Sequence, residues 1–136
     1  MKRIPERLLE LRDDGAYYDG VLFTGVAYAE NQDGRLLYEA RYRDGLHWGL
    51  SQERYLDGQL CSESSFVREW AHGPFRQWHG NGQLAEQEEY EWGVLLSRKA
   101  WDEEGSLLED FTLSESSPEF AVLRERRANW GRAEVS

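Results

Sequence analysis

The stretch GLSQERYLDGQLCSESSFVREWAHG, Gly49 to Gly73, decides the fold. Its skeleton is a glycine, the aromatic Tyr55, the pair Asp57-Gly58, then Leu60, Glu63 and Phe66. The same skeleton recurs on both sides. Gly25, Gly49 and Gly73 lie 24 residues apart, as do Gly34, Gly58 and Gly82, and Gly105 follows Gly82 after 23. Leu36, Leu60, Leu84 and Leu107 each stand two residues after the second glycine. Glu39, Glu63, Gln87 and Asp110 come three residues later, and Tyr42, Phe66, Tyr90 and Leu113 three later again. A fixed period of this size marks a repeat architecture, in which each unit needs its neighbours to bury an apolar face.

Each unit reads as about two strands. Asp33-Gly34, Asp57-Gly58 and Asn81-Gly82 are dipeptides favoured in two-residue hairpin turns, where both central residues take positive φ. Asp44-Gly45 offers a second turn within the period. A two-residue turn at Asp57-Gly58 sets Tyr55 opposite Leu60. In the third unit the same rule sets His79, not Trp78, opposite Leu84, unless a bulge intervenes. Along Leu36, Tyr38, Ala40 and Tyr42 the apolar residues alternate with Leu37, Glu39, Arg41 and Arg43, the pattern of a half-buried strand.

The flanks differ from the repeats. Pro5 to Arg12 (PERLLELR) predicts a short helix, with Ile4, Leu8 and Leu11 on one stripe and Pro5 near its start. Tyr17 to Gly25 (YYDGVLFTG) is an abbreviated repeat, and a partial fourth unit runs from Trp101 to about Leu113. Ser117 as N-cap and Pro118 at the first helical position predict a second helix ending at Gly131, with Phe120, Leu123, Arg127 and Trp130 along one face. Terminal elements of repeat proteins are atypical because they shield the last unit. The expected organisation is one domain: an N-terminal helical cap over 1–16, hairpin repeats over 17–113 and a C-terminal helical cap over 114–136. The fold class is mainly β, an elongated antiparallel meander of repeated hairpins with short terminal helices.

The chain of 136 residues has a formal charge of −10, and the repeats carry nearly all of it: residues 25–113 hold eight basic and seventeen acidic side chains. Such a surface disfavours nucleic acid and anionic membrane and draws in basic partners. The mean hydropathy is −0.78, and no apolar run reaches membrane-spanning length. Charges interrupt MKRIPERLLELRDDG before a signal-peptide core forms, so a cytoplasmic protein is expected. The lone Cys61 excludes an intramolecular disulfide and fits a reducing compartment.

The pattern aromatic-x-x-Asp/Asn-Gly-x-Leu, with a trailing glutamate and aromatic, resembles the MORN-repeat variant of bacterial proteins. YYDGVLFTG followed by such units is similar to the antitoxin or immunity proteins of that group. The resemblance spans about residues 17–113. It departs from the pattern where Glu69 stands in the place of Gly45 and Gly93, and Ser97 in the place of Gly49. It implies a sheet of successive hairpins used as a binding surface. The implied function is that of a cytoplasmic immunity protein, an antitoxin that binds and occludes a cognate bacterial toxin domain. The acidic charge suits a basic toxin. The alternative is a structural scaffold or adaptor that links proteins, and a small enzyme is a third.

The residues offer little chemistry. There is no GxSxG elbow, P-loop, CxxC or HExxH. His47, His72 and His79 lack metal-ligand spacing. Among Glu86, Glu88, Glu89 and Glu91, strand alternation puts the first two on one face and the last two on the other, a solvated stretch without a nucleophile or base. No catalysis, cofactor or metal is expected. Trp70, Trp92 and Trp101 fall near turns or strand ends, where full burial is harder. Aromatics beside carboxylates make a binding hot spot with an acidic rim, but the same rings can form the thin core of a single-layer sheet. The candidate partner-binding residues are Trp70, Glu86, Glu88, Glu89, Glu91, Trp92 and Trp101, and the oligomeric state stays open.

Overall fold

The computed structural model describes residues 2–131. Thirteen strands and one helix follow in order: β1 (Arg3–Pro5), β2 (Glu10–Arg12), β3 (Gly15–Tyr18), β4 (Val21–Leu22), β5 (Gly25–Glu30), β6 (Leu36–Arg43), β7 (Leu46–Arg54), β8 (Leu60–Val67), β9 (Trp70–Ala71), β10 (Gly73–Trp78), β11 (Leu84–Glu91), β12 (Val94–Trp101), β13 (Leu107–Thr112) and α1 (Pro118–Trp130). Ten strands form one sheet in the order β1-β5-β6-β7-β8-β10-β11-β12-β13, with β9 pairing β8 beside that path. β2, β3 and β4 form a small second sheet. Every pairing is antiparallel except β1 with β5. The main sheet is thus a meander of hairpins, mainly β as expected.

The two ends of the hairpins turn differently. At one end Asp44-Gly45, Arg68-Glu69 and Trp92-Gly93 take positive φ at both residues, the two-residue turn whose twist matches that of the strands. Glu69, where the pattern has glycine, makes the same turn: its N–H bonds the His47 carbonyl at 2.9 Å, as Gly45 bonds Phe23 at 2.8 Å and Gly93 bonds Ala71 at 2.7 Å. At the other end, expectation and structure part. Gly34, Gly58 and Gly82 have positive φ, but Asp33, Asp57 and Asn81 do not. These are longer turns, closed by Asn31–Arg35, Tyr55–Gln59, His79–Gln83 and Asp102–Ser106 backbone bonds. Asp57 Oδ1 accepts the Gln59 N–H, and Asp102 Oδ1 the N–H groups of Glu104 and Ser106, each at 2.9 Å. That bonding favours the longer turn over the two-residue one. A register shift precedes each of them. Leu60 therefore faces Arg54, not Tyr55. Trp78 does face Leu84, across the bulge at Gln77/Trp78.

The N-terminal helix does not form. Arg3–Pro5 pair with Val26–Tyr28 and bury Ile4, while Leu11 stays 78% exposed. Only one 3-10 turn, Glu6–Leu8, remains. A lone eight-residue helix is marginal in water, and here its two ends find strand partners instead, Pro5 in β1 and Glu10–Arg12 in β2. The small sheet docks on the turn at Gly45, through Ala16 N–H to the Gly45 carbonyl (2.8 Å) and Gly45 N–H to the Phe23 carbonyl (2.8 Å).

The C-terminal helix forms as the sequence predicts. Ser117 Oγ accepts the Phe120 N–H, Pro118 opens the helix, and the Gly131 N–H closes on the Arg127 carbonyl at 2.7 Å. Residues 132–136 of the expected cap lie outside the described residues. Leu123 is fully buried among Val67, Trp92 and Val94. The helix thus covers the two-residue-turn end of the third hairpin, and β13 remains exposed along its whole length.

The core is thin and divided. One cluster gathers Ile4, Ala16, Phe23, Ala27, Ala40 and Tyr42, and the other lies under α1. Rings link successive units at this end: Tyr18–Phe23 at 6.2 Å between centroids, Phe23–Tyr42 at 5.8 Å, Tyr42–His47 at 4.4 Å and His47–Phe66 at 5.3 Å.

Two outcomes test this account. A Cβ on Gly58 (φ +91) meets nothing within 4 Å, so Gly58→Val tests backbone conformation alone. It should cost about 1–3 kcal/mol, and Gly58→Asn far less, since asparagine tolerates this region; equal urea midpoints for wild type and valine variant would refute the turn. Burial raises the Tyr38 and Tyr42 phenols, and burial together with Glu88 pushes Tyr90 up to about 12. A phenol raised by folding stabilises fully below its ordinary pKa of about 10, and that stability is lost as pH climbs through the folded value. Stability should therefore hold to about pH 10 and fall above it, with phenolate absorbance and unfolding rising together.

Candidate protein-interaction surface

Alternation along the strands sorts the charged residues by face. Cross-strand register aligns Ser62, Gln77, Glu86, Ala100 and Glu109 on one face, and Glu63, Arg76, Gln87, Lys99 and Asp110 on the other. On the first face, near the longer turns, lies a shallow groove of about 440 Å³. Tyr55, Trp78, His79 and Trp101 form its aromatic side, and Glu86, Arg98, Leu108 and Glu109 its rim.

Each aromatic stands at or beside a longer turn, so the meander repeats it from hairpin to hairpin. Hydrogen bonds between hairpins fix these groups: the Tyr55 hydroxyl donates to the Trp78 carbonyl at 2.5 Å, and His79 Nε2 lies 2.8 Å from the Trp101 carbonyl. Arg98 is held between Glu86 at 2.5 Å and Glu109 at 3.2 Å. One guanidinium against two carboxylates leaves the rim negative. Pairs this exposed contribute about 0–1 kcal/mol each, so their effect is mainly to fix orientation.

The seven candidate residues separate into three groups. Glu86 and Trp101 meet at the groove. Trp70, Glu91 and Trp92 meet under α1 instead. There Arg127 grips Glu91 with two bonds of 2.5 and 2.7 Å, Arg126 stacks 3.8 Å over Trp70, and Trp92 Nε1 donates to the Gly131 carbonyl at 2.7 Å. Trp92 is only 2% exposed, which corrects the expectation that its place at a turn resists burial. The helix supplies the covering layer that the sheet lacks. Glu88, on the groove's face, is buried and accepts from the Tyr90 hydroxyl at 3.1 Å. Glu89 lies on the opposite face with Gln87, Ser97 and Lys99.

Tyr55, Trp78, His79, Arg98 and Glu109 are not among the partner-binding candidates that the sequence offers. The available signal was the spacing Tyr55–Trp78–Trp101, 23 residues each, at a fixed place before the turn. Among the described residues no three His, Cys, Asp or Glu side chains converge as metal ligands. What the groove offers chemically is flat aromatic surface with an acidic border, suited to apolar and cationic side chains.

One comparison adds to this geometry. The chain is 36% identical over 118 residues to the immunity protein YwqK of Bacillus subtilis (strain 168), across 87% of this chain and 77% of that protein. It belongs to the family of that immunity protein. No family model matches the chain, and no solved structure matches it.

The division between core and surface tryptophans is measurable. Trp92→Ala should lose about 3–5 kcal/mol as a buried aromatic truncation, and Trp101→Ala about 1 kcal/mol. Thermal melts that rank the two the other way would refute it.

Proposed function

We propose that this protein is an immunity protein that binds a cognate toxin domain and blocks it by occlusion, without catalysis of its own. Membership of the YwqK family carries the immunity role, and the aromatic groove with its acidic rim supports protein binding as the mode. The partner is a basic, cytoplasm-acting toxin domain, matched to a surface of net charge −10. Aromatic anchors exclude water at the contact and acids on the rim steer the encounter. The hairpins are MORN-type units of about 24 residues, supported by Gly34, Gly58, Gly82 and Gly105 all turning with positive φ.

The test is binding to the C-terminal domain of the protein encoded directly upstream. The two should co-purify, and the toxin's activity should fall on stoichiometric addition. Association should slow as salt rises, since long-range attraction between exposed charges is screened. Trp78→Ala should raise the off-rate, with a loss of about 2–4 kcal/mol if Trp78 is an anchor, while circular dichroism stays native. A chain that binds no neighbouring gene product, yet recovers several unrelated cellular proteins, would favour a scaffold instead.

A further inference from the structure

We propose that β13 is a strand-docking edge, at which an extended, positively charged segment of the toxin pairs with the free side of the strand and lengthens the sheet. This rests on the immunity reading above and adds to it the mode of binding.

β13 bonds β12 on one side, and no other described strand lies beyond it. All six of its residues are exposed, Leu108 at 68% and Leu107 at 54%. Half of the backbone N–H and C=O groups of an edge strand point outward without partners, a template for a further strand. The opposite edge is finished differently. β1 is three residues long, buries Ile4 and passes straight into the 3-10 turn. Proteins guard long edges with charged side chains, proline or bulges. β13 contains no lysine, arginine or proline. Besides the register shift at Ala100/Trp101, its guards are the acids Glu109 and Asp110, which repel another copy but not a basic strand.

The charge around β13 decides what can dock there. From Asp102 to Leu113 the chain carries five acidic side chains and no basic one. A second copy pairing edge to edge would set these acids against themselves, and like charges across a strand pair repel. A strand rich in lysine or arginine meets the opposite situation. Side chains of a docked strand alternate between faces, and β13 has a cavity at each end to receive them. Leu108 and Glu109 border the aromatic groove. Phe111 and Thr112 border an apolar hollow of about 520 Å³ between the last hairpin and α1. Strand pairing would thus bring backbone bonds and side-chain contacts to the same partner segment.

Hydrogen exchange tests this on the full chain, alone and with the toxin domain encoded directly upstream. Within residues 107–112, the amides that face away from β12 should exchange at least about tenfold more slowly in the complex, because a paired edge loses its outward-facing free N–H groups. Glu109→Lys with Asp110→Lys should slow association about tenfold at low salt, with the difference shrinking at high salt. A complex weakened by Trp78→Ala whose β13 amides still exchange as in the free chain would overturn strand docking and leave the immunity reading standing. Outward-facing β13 amides already protected in the free chain would overturn it too, since the edge would then be covered by a second copy or by the chain itself. Failure of any complex to form would overturn both.

Discussion

A one-layer sheet has no second layer against which to bury an apolar face, and the rest of this structure follows from that constraint. Burial has to happen where chain segments other than the sheet can reach, which is at the hairpin ends. The two-residue turns at Asp44-Gly45, Arg68-Glu69 and Trp92-Gly93 gather at one end, and there the terminal elements dock. Ala16 and Phe23 close on Gly45, and α1 closes on Trp92. Gly45 shows how tight the approach is: a Cβ there would come within 3.0 Å of the Ala16 carbonyl oxygen. Ring contacts from Tyr18 and Phe23 through Tyr42 and His47 to Phe66 then run on from the first buried cluster to the next hairpin.

The meander was legible in the sequence because the information lay in spacing. Glycines and leucines at fixed offsets locate four turns without reference to anything distant, and Ser117-Pro118 locates the helix start from two adjacent residues. Misreadings arose where the deciding partner was far along the chain. PERLLELR reads as a helix until Pro5 is known to end a strand paired with Val26–Tyr28 and Glu10–Arg12 to pair with Gly15–Tyr17. Asp57-Gly58 reads as a two-residue turn, and choosing the longer one depends on where the aspartate oxygen bonds. Trp92 reads as exposed at a turn, and its burial depends on a helix more than 25 residues later. The groove was half visible: Trp101 and Glu86 stood out by composition, while Tyr55 and Trp78 looked like repeat landmarks.

The two hairpin ends therefore have different work. At the two-residue-turn end aromatics are covered and paired with arginine, as in Arg126 over Trp70 and Arg43 over Trp48. At the other end Tyr55, Trp78 and Trp101 keep partial exposure, and among the described residues no helix or second sheet packs over them. Segregating stability from exposure lets a surface change its side chains without touching the buried clusters.

The acidic charge also divides by task, and this bears on how much of it is free to meet a partner. Asp57 and Asp102 spend an oxygen on backbone N–H groups in their turns, and Glu91 is held by Arg127. Glu63 lies across from Arg76, and Glu86 and Glu109 share Arg98. These acids would be present in a sheet with no partner at all, because they orient its turns and strands. The run from Asp102 to Asp110 retains an excess that no basic residue within it offsets, and it coincides with the strand left uncovered. Repulsion between copies at that edge would oppose stacking of the chain on itself while leaving the edge open to a strand of opposite charge.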